Sequence, residues 1–226
     1  MIHKIQSALW LAAIFVLACS LHAQGQSQSQ RVDKRPLVYG LVIDNSASLR
    51  SQMRKAIDIS KLIVSRNQPD DETFLVRFVN HENIKTIQDF TSSQTVLIDK
   101  LDDLYIEPGK TAIFDALDYS IKHLSQDNVA SNLAKRRAII LITDGDDTGS
   151  HYHLDELLKS LREKSIQVYV IGLVEELEQQ GIHSKERAVN HLSNIAEASG
   201  GEAYFPTSTS EVTNIATRIV NEIRRH

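Results

Sequence analysis

The sequence holds one cysteine, Cys19, close to its start. A lone cysteine builds no disulfide framework. If the N-terminal segment is cleaved, the mature chain also lacks a cysteine nucleophile and a thiolate metal site. Basic clusters are scarce as well. In a chain of net charge −4, only Lys135-Arg136-Arg137 and the final Arg224-Arg225 stand out. Both are short, fit a solvated surface or a helix C-terminus, and argue against the broad basic face of a nucleic-acid binder. Beyond the N-terminal segment no apolar run is long enough to cross a bilayer. Glu107-Pro108-Gly109-Lys110-Thr111 ends in Gly-Lys-Thr, but it lacks the first Gly of a Walker loop and does not follow a strand. A nucleophile elbow of the Gly-x-Ser-x-Gly type is also missing.

What is present suits one domain: 226 residues, 42% of them apolar, enough for a sizeable core. The start of the chain reads as an export signal over residues 1–23. His3 and Lys4 form a weak polar n-region, Ala8 to Ala18 is almost wholly apolar, and Leu21-His22-Ala23 offers a small residue for cleavage. Two alternatives stay open. One is a single membrane anchor. The other is a lipoprotein acylated at Cys19 after Val16-Leu17-Ala18, where Leu17 fits poorly. The mature protein is expected outside the cytoplasm, secreted or periplasmic, or tethered only at its N-terminus. Residues 24–35 alternate Gln with Ser and Gly and then turn charged, which predicts a flexible linker. One domain follows over 36–226.

Within that domain, strand-like and helix-like patterns alternate. Leu37 to Ile43, Phe74 to Val79, Ala138 to Thr143 and Ile166 to Val174 are apolar runs of strand length, and Ala203-Tyr204-Phe205 reads as a short edge strand. Ile84 to Phe90 reads as a strand returning antiparallel after an Asn80-His81-Glu82-Asn83 turn. Helical periodicity predicts helices over about 49–66, 95–104, 113–124, 154–161, 185–199 and from 210 onward. The expected fold is α/β and doubly wound: a mainly parallel central sheet with one antiparallel edge strand and helices on both faces. Ligands of such folds bind beyond the carboxyl ends of the strands, at a topological switch point.

Chemistry gathers at those ends. Leu41-Val42-Ile43 runs into Asp44, and Ser46 and Ser48 follow at alternate positions. A buried carboxylate is costly unless its charge is compensated. Alone, the stretch reads equally as a helix N-cap or as part of a hard-cation site. Asp144 closes the most apolar strand in the same way, and Thr111 opens a helix after a Gly-containing loop. In a parallel sheet the two carboxylates, a hundred residues apart, reach one edge, where they repel unless a proton or a cation lies between them. Two Asp, two Ser and one Thr make an all-oxygen set. It favours Mg²⁺, Mn²⁺ or Ca²⁺ over zinc or copper, with Mg²⁺ best suited to hydroxyls and a partial water shell.

Three loops together resemble the von Willebrand factor A domain and its metal-ion-dependent adhesion site. Asp44-Asn45-Ser46-Ala47-Ser48 is similar to that family's Asp-x-Ser-x-Ser loop. Lys110 to Leu117 is similar to its threonine loop, and Ile142-Thr143-Asp144-Gly145 to its second aspartate loop. The resemblance runs from about Pro36 to the end, and is nearest to secreted bacterial members with little beyond the A domain. It implies that Ser46, Ser48 and Thr111 hold a metal through hydroxyls and that Asp44 and Asp144 hold it directly or through water. It implies one open position for a Glu or Asp carboxylate of a partner protein. Ala47 and Lys110 depart from the family pattern by standing where Gly is common.

Other candidates read more plainly. Asp146 and Asp147 suit solvated turn residues, and with Lys110 they are also candidates for a rim around the site. Asp115 reads as a structural residue of a helix first turn. His151 and His153 lack a third ligand for a transition metal. The expected function is therefore a divalent-cation-dependent interaction module, not an enzyme. The alternatives are a metal-dependent hydrolase, for which Asp146, Asp147 or His151 would have to serve as base, and a fold with an idle site.

Overall fold

β1 (Leu37–Asp44) is buried along its whole length, and its alternation divides it between two cores. Leu37, Tyr39, Leu41 and Ile43 enter one, while Val38 and Val42 enter the other. A strand covered on both faces belongs inside a sheet flanked by helices. The computed structural model describes residues 35–126, 135–145, 147–175, 177 and 182–225, all within the unit Asp33–His226. The expected signal peptide over 1–23, the linker up to 34, Cys19 and Asp146 lie outside the described residues.

After β1 come a short 3-10 turn (Ala47–Leu49) and α1 (Met53–Val64), then β2 (Glu72–Phe78), β3 (Ile84–Thr91), α2 (Gln94–Asp102) and α3 (Ile113–Gln126). β4 (Arg136–Thr143), α4 (Leu154–Lys164), β5 (Gln167–Gly172), α5 (Ile182–Ser199), β6 (Ala203–Tyr204) and α6 (Thr209–Arg225) follow. The six strands form one sheet in the order β3-β2-β1-β4-β5-β6. β1 pairs in parallel with both β2 and β4, and β5 and β6 continue in parallel. Only β3 runs antiparallel, at the edge beyond β2. This is the expected doubly wound arrangement. Its switch point lies between β1 and β4, so Asp44 and Asp144 end the two strands that flank it.

One face packs α1, α2 and α6 through Ile59, Ile63, Leu97, Leu101, Ala216 and Ile219. The other packs α3, α4 and α5 through Leu117, Ile121, Leu161, Leu192 and Ile195. Each such Leu or Ile side chain contributes about 1.5–3 kcal/mol by leaving water. α6 is also held by charge. Arg224 pairs with the buried Asp71 through both guanidinium nitrogens. Asp71 further accepts from the Leu37 N–H at 2.8 Å and the Gln68 N–H at 2.6 Å. One carboxylate thus ties the end of α6 to the start of β1 and to the turn before β2.

Most element limits fall within a few residues of the sequence expectation. The helix expected from Leu49 is the main departure, since α1 begins only at Met53. The cause is Gln52: its buried amide donates to the Leu173 carbonyl at 2.6 Å. That bond pins the chain beside the end of β5 before regular helix begins. Among the described residues no helix is long and apolar enough to cross a membrane.

Candidate metal centre

The site is assembled by three loops stitched to one another through their backbones. The first leaves β1. Asn45 donates its N–H to the Phe78 carbonyl at 2.8 Å and its side-chain amide to the Tyr105 carbonyl at 2.7 Å. The second loop, from 105 to 111, returns the contact: the Glu107 N–H donates to the Asn45 carbonyl at 2.9 Å. Glu107 is steadied by Arg77, to which it is paired, and by the Asn83 amide at 2.6 Å. The Arg77 guanidinium holds the Glu107 carboxyl below the usual carboxylate range. The third loop follows β4. Its Thr148 and Gly149 N–H groups both donate to the Thr111 carbonyl, at 3.0 and 2.9 Å. Thr111 therefore sits where the second loop meets the third, while Ser46 bridges to Glu107 on the other side.

Two glycines make the third loop possible. Gly145 has φ +93°, a left-handed conformation that side chains resist, and a Cβ there would press on Leu192. At Gly149 a Cβ would lie 2.7 Å from the Lys110 carbonyl oxygen, so only glycine allows the two loops this close.

Within the frame, Asp44 and Ser46 are fully buried and Asp144 and Thr111 nearly so, while Ser48 is exposed. Asp44 accepts from the Ser46 N–H at 2.9 Å through Oδ1 and from the Thr143 hydroxyl at 2.6 Å through Oδ2. Both donors are neutral. Burial, and then the neighbouring Asp144 carboxylate, push the Asp44 carboxyl well above its ordinary range, and the hydrogen bonds from Thr143 and Ser46 only partly offset this. The Ser46 and Ser48 hydroxyls stand 3.0 Å apart. Neither Ser46 nor Gln52 makes a side-chain capping bond to the helical segment that follows it, so the capping role open to this stretch on sequence grounds is not the one its hydroxyls play.

Thr143 is a functional residue that sequence motifs alone do not mark. Its hydroxyl donates to Asp44 and accepts from the Gly145 N–H at 3.1 Å. It thereby joins the two aspartate loops. A threonine closing a wholly apolar strand, directly before Asp144, was the available signal.

The rim candidates divide. Lys110 is exposed beside Thr111. Asp147 turns onto the protein: it accepts from the Phe114 N–H at 3.1 Å, from the Ser150 N–H at 3.1 Å and from the Ser150 hydroxyl at 2.7 Å. It thus serves the first turn of α3 rather than lying as a solvated turn residue. Asp115, in that first turn as expected, accepts in return from the His151 and Tyr152 N–H groups at 2.9 and 2.7 Å. The His151 ring packs against that of His81, tilted by 31° with centroids 3.9 Å apart, and His153 precedes α4. Among the described residues no three His, Cys, Asp or Glu side chains converge as a metal site. The candidate set stands on two carboxylates and three hydroxyls. As chemistry, that set fits a hard divalent cation: oxygen donors only, and a buried carboxylate lacking a charged partner among its described contacts.

Comparison with known proteins decides the family. Residues 40–218 match the von Willebrand factor type A domain. The chain belongs to that family. No curated protein matches it in sequence, but solved structures of this type superpose on it. BatB from Bacteroides thetaiotaomicron, described as a conserved hypothetical protein, is 20% identical with a TM-score of 0.65, over 84% of this chain and 100% of that one. An aerotolerance-related membrane protein from Bacteroides fragilis, solved with multiple mutations to serine, gives 20%, 0.64, and the same two coverages. The pilus adhesin SpaC from Lactobacillus rhamnosus GG, in an open conformation, gives 13% and 0.66 over 85% of this chain and 30% of that one. At these identities the likeness is one of fold.

Proposed function

We propose that this von Willebrand factor type A domain is a divalent-cation-dependent interaction module. Mg²⁺, or Mn²⁺ or Ca²⁺ in its place, is held by Ser46, Ser48 and Thr111 through their hydroxyls and by Asp44 and Asp144 directly or through water. The ion supplies a Lewis-acidic position that a Glu or Asp carboxylate of a partner protein completes. The chain's own residues do the rest. Thr143 and the Ser46 N–H orient Asp44. The Asn45–Tyr105 and Glu107–Asn45 bonds set the first and second loops in register. The Thr111 carbonyl fixes the third. The observation that carries the reading is the wholly buried Asp44, next to Asp144, with neutral hydrogen-bond donors. An ion between the two carboxylates would relieve both burial and repulsion. Exposed Lys110 at the rim suits an acidic partner. The description of one structural neighbour as an adhesin accords with an interaction role.

A hydrolase at the same edge would need a general base beside the ion. The oxygens of Asp147 are engaged by the start of α3 and by Ser150, and the His151 ring packs against His81. Both features favour binding over catalysis. The same reading places the mature domain outside the cytoplasm, after an N-terminal export segment, as a secreted, periplasmic or N-terminally tethered protein. Calorimetry with Mg²⁺ on the wild type and on Asp44→Ala tests the metal. Saturable heat in the wild type and its loss in the variant is the expected pair, and equal affinity in both sinks the proposal. Metal-dependent turnover in a phosphoesterase and peptidase panel would move the function to the hydrolase.

A further inference from the structure

Three large apolar side chains stand exposed among the described residues: Val96, Tyr105 and Tyr119. Val96 belongs to the first turn of α2 and Tyr119 to the middle of α3. Tyr105 is the most exposed of the three, at 58%, and of the three it alone lies in a loop of the metal edge. A ring left in water there forgoes the stabilisation that burial gives.

The chain nevertheless holds this ring firmly. The Tyr105 carbonyl accepts the Asn45 amide at 2.7 Å, and Asn45 is the residue between Asp44 and Ser46. The Arg77 guanidinium lies 5.1 Å from the ring centroid. Arg77 is itself buried and paired with Glu107. After Arg77 and Asn83, the Tyr105 hydroxyl also helps to hold the Glu107 carboxyl below its ordinary range. Backbone, hydroxyl and one ring face are thus each tied to the frame of the site. Part of this is structural, since the ring covers the Arg77–Glu107 pair that steadies the second loop. That duty takes only one face. More than half of the residue stays in water, on a side chain with little freedom left to lose.

Resting on the cation-dependent reading of this edge, we propose that Tyr105 selects the partner: beside the Glu or Asp that reaches the ion, its open face takes an apolar side chain of the same partner segment. Charge decides against the alternatives. The negative face of the ring repels a second carboxylate. A cation would meet a ring already drawn upon by Arg77, with exposed Lys110 on the same loop. A neutral aliphatic or aromatic group meets neither penalty and gains by leaving water. A ring fixed before contact costs little ordering on binding, which suits tyrosine as an interface anchor. The Asn45 link bounds the spacing. One side-chain amide joins the ring's residue to the aspartate loop, so an extended segment can reach both with its acidic and apolar residues within about three positions of each other, at roughly 3.3 Å per residue.

The test uses the mature protein at saturating Mg²⁺ and in chelator. The probes are capped peptides with one Glu in a Gly-Ser frame and with Leu, Phe, Lys or Ser placed at each position within three of it. Their affinities for wild type, Tyr105→Phe and Tyr105→Ala are read by NMR titration, and calorimetry gives the Mg²⁺ affinity of each protein without peptide. The expected result is Mg²⁺-dependent binding in which the best Leu or Phe peptide exceeds its Lys and Ser counterparts at least tenfold. Tyr105→Phe keeps that preference and Tyr105→Ala loses it. The preference is a ratio within one protein, so it holds even where a variant takes up Mg²⁺ more weakly. Equal affinity for all peptides overturns the proposal, as does a Lys peptide that binds best, a preference that survives Tyr105→Ala, or Mg²⁺ uptake by a wild type that binds no peptide. A ring that only shields Arg77 would cost Tyr105→Ala stability and leave the ranking of peptides unmoved. A wild type that takes up no Mg²⁺ fails the cation reading and this proposal with it, whereas every other failure leaves cation binding in place.

Discussion

Asp44 and Asp71 are both fully buried aspartates of one small domain, and the fold treats them in opposite ways. Asp71 receives two backbone N–H groups and the guanidinium of Arg224. Its charge is neutralised by the chain itself, and the pair locks α6 to β1. Asp44 receives a backbone N–H and a hydroxyl, with a second carboxylate as neighbour. One aspartate is finished within the protein. The other is arranged so that something outside the chain completes it. Burial alone therefore does not distinguish a structural acid from a binding acid. The identity of the surrounding donors does.

Four measurements sharpen or break that contrast. The largest effect is expected at Asp71. Asp71→Ala strands a buried Arg224, and loss of one partner of a buried pair costs about 3–5 kcal/mol. Chemical denaturation should show that loss, with Mg²⁺ affinity per folded molecule unchanged. A near-silent Asp71→Ala would remove the basis of the comparison.

Asp44→Asn should do the reverse. It keeps the shape and removes the buried charge, so the metal-free protein should be as stable as the wild type or slightly more so. Its Mg²⁺ affinity should fall about a hundredfold or more, roughly 2.8 kcal/mol at 1.4 kcal/mol per tenfold. Thermal shift with and without Mg²⁺ reads both quantities in one experiment. Thr143→Val is the milder version. It removes the hydroxyl that orients Asp44 and receives the Gly145 N–H, and residues in that outer position typically change metal affinity 10–100-fold. Unchanged affinity would leave Thr143 with a purely local role.

The smallest effect concerns pH. Burial, and then the neighbouring Asp144, hold the Asp44 carboxyl well above its ordinary range in the folded state. The native state then holds a proton that the unfolded chain has released, so this contribution is full below the unfolded value and is lost as pH rises toward the folded one. The metal-free protein should melt at a lower temperature at pH 8 than at pH 5. Saturating Mg²⁺ should flatten or invert the trend, because the cation replaces the proton. A metal-free profile that rises from pH 5 to 8 would contradict the assignment.

The architecture was largely legible from local patterns because strands and helices announce themselves by periods of two and 3.6. Apolar runs ending in Asp44 and Asp144 located both carboxylates correctly at strand ends, since a strand interior cannot take them. Less was legible at the start of α1, where a helical pattern from Leu49 is interrupted because Gln52 reaches a carbonyl 121 positions away. Asp147 was read as a solvated turn residue, and its use by the start of α3 depends on a contact across 33 positions. Sequence spacing carries no trace of such bonds.

Burial and periodicity act over a few neighbouring residues, so the order of residues along the chain is enough to specify a doubly wound α/β domain with carboxylates at the ends of two core strands. What those residues face depends on how the strands are ordered in space. Strand order made β1 and β4 neighbours at the switch point, so Asp44 meets Asp144 and Thr143. The same order sent Arg224 to Asp71. Charge acts through space and not along the chain, so which acid is neutralised and which is left open is settled only when the strands have found their places.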